Sequence, residues 1–253
     1  MRLLIASMFL AGCASSAPEP WVELFNGTDL TGWTPKIRGL AHGEDPARTF
    51  RVENGLLTVS YDGYEKFDSQ FGHLFYETPF SRYKLQLEYR FIGEQAPQAP
   101  AWAFKNSGVM IHSQAPETMP PAQDFPISVE VQFLGGLGNG EPRPTANMCS
   151  PGTHIVYEGE FTETHCMPAA APTFPGEEWV QIEVRVDGAD RVVHLVNGEE
   201  VMRYGGLTTG GGVVSGHDPA MKPEGEPLRS GYISLQSEGH PIQFRNIRLQ
   251  VVR

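Results

Sequence analysis

Residues 83–91 read YKLQLEYRF, and this stretch decides the fold because apolar and polar side chains alternate along it without a break. Successive side chains of a β-strand point to opposite faces, so the pattern predicts a strand with one buried face and one hydrated face. The stretches at 128–134 and 179–187 alternate in the same way. Since helical periodicity is nearly absent, the chain is predicted to be all-β.

Turn signals separate the predicted strands. Asn197-Gly198 lies between apolar stretches at 191–196 and 199–204, and Asn-Gly pairs favour tight hairpins because both residues tolerate a positive φ. Further strands are expected on both sides of Asn54-Gly55, at 106–112, at 232–236 and at 242–251. About twelve short strands with turns between them predict an antiparallel β-sandwich or jelly roll. We expect one such domain over residues 22–253.

Composition narrows the class of function. The 253 residues include 28 Gly and 21 Pro, which is typical of a β-sandwich rich in turns. The net charge of −11 leaves no basic stripe to neutralise phosphates, so nucleic acid is not an expected partner. Hydrophobic residues make up 40% of the chain, which is enough for a core.

The N-terminus has the pattern of a targeting segment. Residues 1–12 read MRLLIASMFLAG, a cation followed by a short apolar stretch and small residues, which predicts a signal peptide. The ending Leu10-Ala11-Gly12-Cys13 resembles the bacterial lipobox, so Cys13 is expected to be lipidated and residues 13–21 to form a tether. Ala14 after the cysteine resembles outer-membrane sorting, with the domain facing the periplasm or the cell surface. An ordinary signal peptide that discards Cys13 is the alternative.

Two further cysteines remain. An exported chain meets an oxidising compartment, so Cys149 and Cys166 are expected to form a disulfide. A zinc site is less favoured because the chain lacks a CxxC spacing and two more ligands would be needed.

Polar residues on strands with a buried face are candidate site residues. Glu130 and Gln132 lie two apart on a strand whose other face is apolar, and Asn106 and His112 share one face of another strand. These side chains either face water or line a site. Gln236 and Glu238 repeat the pattern near the C-terminus.

Several other residues are singled out one by one. Arg245 is expected on the same side as Ile247, where it would need a carboxylate such as Glu238 or Glu130, because a buried unpaired guanidinium is costly. His154 lies within the disulfide loop and His240 at the turn between the last two strands. Three other histidines are expected at the surface: His165, His194 and His217.

An ordered set of motifs resembles a known family. The opening LFNGTDLTGW (24–33) is similar to the signature of the 3-keto-disaccharide hydrolase family, formerly a domain of unknown function. Further similar motifs are FGHLFY (71–76), NSGV (106–109), SVEVQ (128–132), PGTH (151–154), LQSEGH (235–240) and FRNIR (244–248). The resemblance runs from about residue 23 to residue 251, and it implies a concanavalin A-like jelly roll.

The resemblance also implies a reaction, the hydrolysis of glycosides whose sugar carries a ketone at carbon 3. Such a ketone acidifies the proton on carbon 2, so a base can form an enolate that expels the group on carbon 1, and water then adds back. This route needs a base, an acid near the leaving oxygen and donors around the enolate oxygen. No cofactor is required by the sequence, although a divalent metal could replace those donors.

Roles for the candidates follow from that chemistry as hypotheses. His154 or Glu130 would be the base, and His240 or Glu238 the acid. Asn106, His112, Gln132, Gln236 and Arg245 would hold the sugar or the enolate. Trp102 would stack on a sugar ring or, alternatively, anchor its loop. The alternatives to an enzyme are a carbohydrate-binding module without catalysis and a scaffold lipoprotein of a glycan-uptake complex.

Overall fold

Residues 19–253 are described by a computed structural model and form two antiparallel sheets, with three short 3-10 helices and no α-helix in that range. The predicted jelly-roll sandwich is confirmed. The strands are β1 (Val22–Glu23), β2 (Trp33–Ile37), β3 (Phe50–Glu53), β4 (Leu56–Val59), β5 (Gly72–Tyr76), β6 (Arg82–Phe91), β7 (Asn106–Ser113), β8 (Val129–Leu134), β9 (Asn147–Cys149), β10 (Thr153–Tyr157), β11 (Glu160–Thr162), β12 (Cys166–Met167), β13 (Val180–Asp187), β14 (Arg191–Val196), β15 (Glu199–Thr209), β16 (Tyr232–Ser237) and β17 (Ile242–Val251).

The ten-stranded sheet has the order β11-β10-β15-β14-β13-β6-β17-β4-β3, with β1 also paired to β17. The seven-stranded sheet has the order β12-β9-β8-β7-β16-β5-β2. The stretch YKLQLEYRF lies in β6, between β13 and β17, and its apolar side chains are buried while those between them are half-buried. No helix among residues 19–253 is long and apolar enough to cross a membrane.

The two predicted Asn-Gly hairpins are confirmed. Asn54 and Gly55 have φ values of 51° and 80°, and Asn197 and Gly198 have values of 49° and 88°. Two successive positive φ angles match the twist of the flanking strands, which is why Asn-Gly suits these turns.

The core lies between the two sheets. Val129, Val131 and Phe133 of β8 are fully buried there, and the Phe133 ring stacks on Tyr89 of β6 with centroids 4.4 Å apart. Burying one such apolar side chain contributes about 2–3 kcal/mol to stability. This packing turns the alternate residues of β8, Glu130 and Gln132, away from the core.

The position of Arg245 corrects a prediction. The register of β17 shifts between Arg245 and Arg248, and Asn246 has a φ of 53°, so a bulge reverses the alternation after Phe244. Arg245 therefore lies on the outer face of the ten-stranded sheet, where its Nη2 is 2.6 Å from Oε2 of Glu88. The predicted pairing with Glu238 or Glu130 is wrong.

The predicted disulfide is confirmed. Cys149 of β9 and Cys166 of β12 are directly opposite each other in the seven-stranded sheet and are bonded, 17 residues apart in the chain.

The N-terminal predictions fall largely outside the described residues, which begin at residue 19. The end of the expected tether packs on the domain. Arg253 pairs with Glu19 at 2.6 Å, and the Arg248 guanidinium lies 5.0 Å from the centre of the Trp21 ring.

Candidate functional site

Several of the candidate site residues lie on the outer face of the seven-stranded sheet. Register places Glu130 opposite Met110 and Cys149, and Gln132 opposite Gly108 and Asn147. Directly opposed residues of antiparallel strands point to the same face, so Asn106, two residues before Gly108, also points to it.

A cavity of about 300 Å³ opens on this face. Strand residues form its base, and the loops before β7, before β8, after β9, before β12 and after β15 form its walls. Its lining residues are Trp102, Asn106, Phe125, Glu130, Gln132, Pro151, His165, Cys166, Val213 and Glu238.

Glu130 is a buried carboxylic acid. Its side chain is nearly inaccessible to solvent, and burial raises its pKa to about 8. Within residues 19–253 its Oε1 atom has no hydrogen-bond partner. The carboxyl group fits because Gly108, which lies opposite Gln132, has no side chain: a Cβ on Gly108 would be 2.7 Å from that oxygen.

Glu238 is the second buried acid of the cavity and follows the last residue of β16. Burial and the neighbouring Glu130 carboxyl raise its pKa well above the ordinary range. Two carboxyl groups in one dry site do not both ionise readily, because each charge raises the free energy of the other. The pair therefore retains a proton at neutral pH.

Amide side chains complete the base of the cavity. Oε1 of Gln132 accepts a hydrogen bond from Nδ2 of Asn147 at 3.1 Å, which leaves its amino group to face the cavity. Oδ1 of Asn106 is buried without a partner among the described residues, and so are both amide atoms of Gln236, which was predicted for the site but does not line the cavity. Buried polar atoms are nearly always hydrogen-bonded, so such a set indicates a place for a polar ligand.

His165 is a site residue that the sequence analysis missed, since it was expected on the surface. Its ring lines the cavity, and burial lowers its pKa, so the imidazole is neutral at pH 7. Its carbonyl accepts a hydrogen bond from the Ser150 amide at 2.8 Å, and its neighbour Cys166 is held by the disulfide. The sequence signal that could have identified it is its position next to Cys166 of the predicted disulfide.

His73 is a second buried histidine, and it lies outside the cavity lining. It is fully buried on β5, and burial together with the Lys36 charge lowers its pKa to about 3. His73 is paired in register with Gln236, and both of its ring nitrogens are without a partner in the described part of the chain. The alternation of β5 did not predict this burial, because the face of the strand turned away from the core is buried as well.

The structure does not bring three predicted histidines to the cavity. His154 packs on Phe161 and contacts Oε1 of Glu224 through Nε2 at 3.1 Å. His112 turns toward the core at a bulge with a φ of 51°, and its Nε2 lies 3.0 Å from the carbonyl of Gly188.

The third, His240, packs edge-on against Phe91 and Phe104, and burial with the Lys105 and Arg143 charges lowers its pKa to about 4. His194, expected on the surface, is fully buried instead.

Trp102 has a position that is compatible with both of its predicted roles. It lines the cavity with a side chain that is 51% exposed, and its ring stacks on Phe71 with centroids 5.9 Å apart. A supported but accessible indole is the usual platform for an apolar sugar face.

Among residues 19–253, one group of three possible metal ligands lies close together: Cys149, His165 and Cys166. Both sulfurs of this group are joined in the disulfide, so neither is a thiolate ligand. A divalent metal held by histidine and glutamate side chains stays a prediction.

Comparison with known proteins decides the family. The model of the 3-keto-alpha-glucoside-1,2-lyase-like domain matches residues 20–250. The chain belongs to this family. Members of the 3-keto-alpha-glucoside-1,2-lyase-like family are the proteins that the motifs resembled, so that resemblance is confirmed. The chain is accordingly a glycoside-cleaving or carbohydrate-binding jelly-roll protein.

Solved structures agree on the fold of this 3-keto-alpha-glucoside-1,2-lyase-like domain. A "putative glycosyl hydrolase" from Parabacteroides distasonis is 19% identical with a TM-score of 0.54, and the match covers 92% of this chain and 100% of that one. A second protein of that description from the same organism is 18% identical with a TM-score of 0.53, covering 92% and 94%. No curated protein matches the chain.

Proposed function

We propose that the protein cleaves 3-keto-glycosides by elimination followed by hydration, in the cavity that holds Glu130 and Glu238. The observation that carries this proposal is the buried carboxyl pair with raised pKa values. A base with a pKa near the working pH is suited to removing a carbon-bound proton that a neighbouring ketone has made acidic. The family description, a 1,2-lyase-like domain, fits the same elimination.

The first half of the reaction breaks two bonds. Ionised Glu130 takes the proton from carbon 2, and the electrons of that bond form the enolate of the carbon 3 ketone. The enolate then reforms the ketone, a double bond forms between carbons 1 and 2, and the bond from carbon 1 to the leaving oxygen breaks. Glu238 is assigned as the acid that protonates that oxygen, because its pKa is raised further by the Glu130 charge.

The second half restores the pair. Ionised Glu238 takes one proton from water as the hydroxyl adds to carbon 1 of the enone. Carbon 2 regains a proton from the Glu130 carboxyl, which exchanges with solvent once the leaving group has departed. The net change is hydrolysis, and both acids return to their starting states. Asn106, Gln132 and neutral His165 are the groups proposed to bind the ketone or enolate oxygen and the sugar hydroxyls.

The alternative proposal is a carbohydrate-binding module. The supported indole of Trp102 beside amide side chains favours it, since that combination suffices to hold a sugar. Under this alternative the domain binds 3-keto-sugars saturably and releases no product.

Turnover of a 3-keto-glucoside panel in D₂O tests the proposal. We expect release of 3-keto-glucose with deuterium at carbon 2 at early times, measured against the background exchange of 3-keto-glucose alone. Retention of the original hydrogen, together with no isotope effect on kcat/KM for a substrate deuterated at carbon 2, would contradict elimination. Binding without any release would favour the carbohydrate-binding alternative.

Variants test the assigned residues. Glu130→Gln and Glu238→Gln should each lower kcat by about 10²–10⁴, the usual contribution of a proton-transferring side chain. Glu224→Gln is the matched control, because Glu224 is exposed and outside the cavity. Full activity of Glu130→Gln would remove Glu130 from the mechanism.

A further inference from the structure

A second depression adjoins the cavity, and we call it the aglycone groove. It has a volume of about 540 Å³ and is lined mainly by apolar and small residues. Those that define its character are Phe104, Leu137, Pro142, Pro175, Lys105 and Glu141.

One segment of chain separates the two depressions. Trp102 and Asn106 line the cavity, whereas Phe104 and Lys105, which lie between them in sequence, line the aglycone groove. Strand β8 makes the same passage, since Gln132 lies in the cavity and Gly136, just beyond the strand, lies in the groove. A molecule bound in the cavity would therefore reach the groove by crossing this short segment.

Arg143 fixes the separating segment. Its Nη1 donates hydrogen bonds to the carbonyls of Phe104 at 2.7 Å and Gly135 at 2.6 Å, and its Nη2 donates to Trp102 at 3.4 Å. With a further bond to the carbonyl of Lys105 at 3.3 Å, the guanidinium joins four carbonyls and holds both walls of the groove in one geometry. The groove is thus built before a ligand arrives.

The lining selects the kind of ligand. Leu137 is 50% exposed, and few large apolar side chains in residues 19–253 are exposed to that degree. The Lys105 ammonium donates to the carbonyl of Pro175 at 2.7 Å, which uses one of its three N–H donors, and Glu141 adds a carboxylate to the lining. The rest of the lining is mostly phenylalanine, leucine, proline and glycine, and such a surface suits a flat apolar ring better than the hydroxyls of a second sugar.

We propose that the aglycone groove binds an aromatic leaving group, so that the preferred substrates are 3-keto-glucosides of phenols. This inference rests on the proposed function for its substrate. A cavity of about 300 Å³ lies at the small end for ligand sites and takes the oxidised sugar. The group on carbon 1 then extends past Trp102 onto Phe104 and Leu137.

The experiment compares phenyl and methyl 3-keto-α-glucoside with the wild type, Leu137→Ser and Phe161→Ser. Phe161 is 59% exposed and lines neither depression, so its variant is a matched control for the loss of an exposed apolar side chain. We expect the phenyl-to-methyl ratio of kcat/KM to exceed one in the wild type. It should fall about fivefold in Leu137→Ser and stay unchanged in Phe161→Ser. Equal ratios in the wild type and Leu137→Ser would overturn the inference.

Calorimetry separates failure of the inference from failure of the proposed function. If neither ketone is turned over, the proposed function fails, and the groove is then judged on the dissociation constants of the same two ligands. The phenyl ligand should still bind more tightly than the methyl ligand. The ratio of their dissociation constants should be reduced about fivefold in Leu137→Ser. Equal affinities in the wild type would overturn the inference whatever the chemistry.

Discussion

At the residue scale, Glu130 makes stability depend on pH. Its pKa is about 8 in the folded protein, whereas the ordinary pKa of a glutamate is 4.5. The folded state therefore binds more protons than the unfolded state at pH values between these two. Stability is then greatest below the lower value and falls as pH rises through the upper one, by up to about 1.4 kcal/mol per pH unit for this group.

We therefore predict that the free energy of unfolding of the wild type, relative to Glu130→Gln, declines between about pH 5 and about pH 8. Urea unfolding at several pH values measures this difference. Glu224→Gln should keep the slope of the wild type, since its carboxyl is exposed. Parallel curves for the wild type and Glu130→Gln would show that the acid is not buried in its neutral form.

The sequence predicted cavity residues well where strand parity decides the direction of a side chain. Glu130, Gln132 and Asn106 share a face because their strands are regular and paired in register. Parity failed at His112 and Arg245, where a bulge reverses the alternation. Strand parity could not predict the position of His165, because His165 lies in a loop and its position depends on the chain that packs around it.

At the element scale, the bulge of β17 allows residues on both sides of it to point into the core. Phe244 and Ile247 are both fully buried although they are three positions apart, which a regular strand would not permit. Asn246 supplies the extra residue with its φ of 53°, and its Nδ2 donates to Oε1 of Glu88 at 2.7 Å.

We predict that Asn246→Val lowers the free energy of unfolding by about 1–3 kcal/mol, because a β-branched residue is strained at this positive φ. Asn246→Gly should lose much less, since glycine adopts that backbone freely and forfeits only the hydrogen bond to Glu88. Chemical denaturation of both variants measures the contrast. Equal losses would place the stability in the side-chain contact instead of the bulge.

The disulfide is the second element-scale feature, because it closes the loop that carries Pro151 and His165 into the cavity wall. We predict that the double variant Cys149→Ser, Cys166→Ser loses about 3 kcal/mol of stability, as expected for a loop of this length. Urea unfolding of the wild type with a dithiol reductant should show the same loss. An unchanged midpoint in both cases would contradict a stabilising bridge.

At the scale of the whole molecule, the sheets were predictable and the loops were not. Alternation at 83–91 predicted strand β6, which pairs in register with β13. The Asn54-Gly55 turn predicted a hairpin, and its strands β3 and β4 pair with each other. The short strands β9 and β12 carry no alternation of their own; β9 pairs with the edge of β8, and β12 pairs with β9 next to the disulfide. The cavity depends on such loops, so its outline could not be drawn from sequence.

Attachment to a membrane would also be a property of the whole molecule, and we propose export with a lipid on Cys13. The wild type should incorporate a palmitate analogue in a bacterial host, and Cys13→Ser should not. Cys149→Ser is the control cysteine variant and should keep the label, because its position lies in the folded domain. Label retained by Cys13→Ser would refute the proposed anchor.

Gly108 has a consequence for how this fold could change its function over time. A single methyl group at that position would meet Oε1 of Glu130 at 2.7 Å and the carbonyl of Val131 at 3.0 Å. Replacement by alanine needs one nucleotide change, and it would displace the acid while leaving the indole and the amides of the cavity in place. An enzyme and a lectin with this architecture would then differ by one carbon atom.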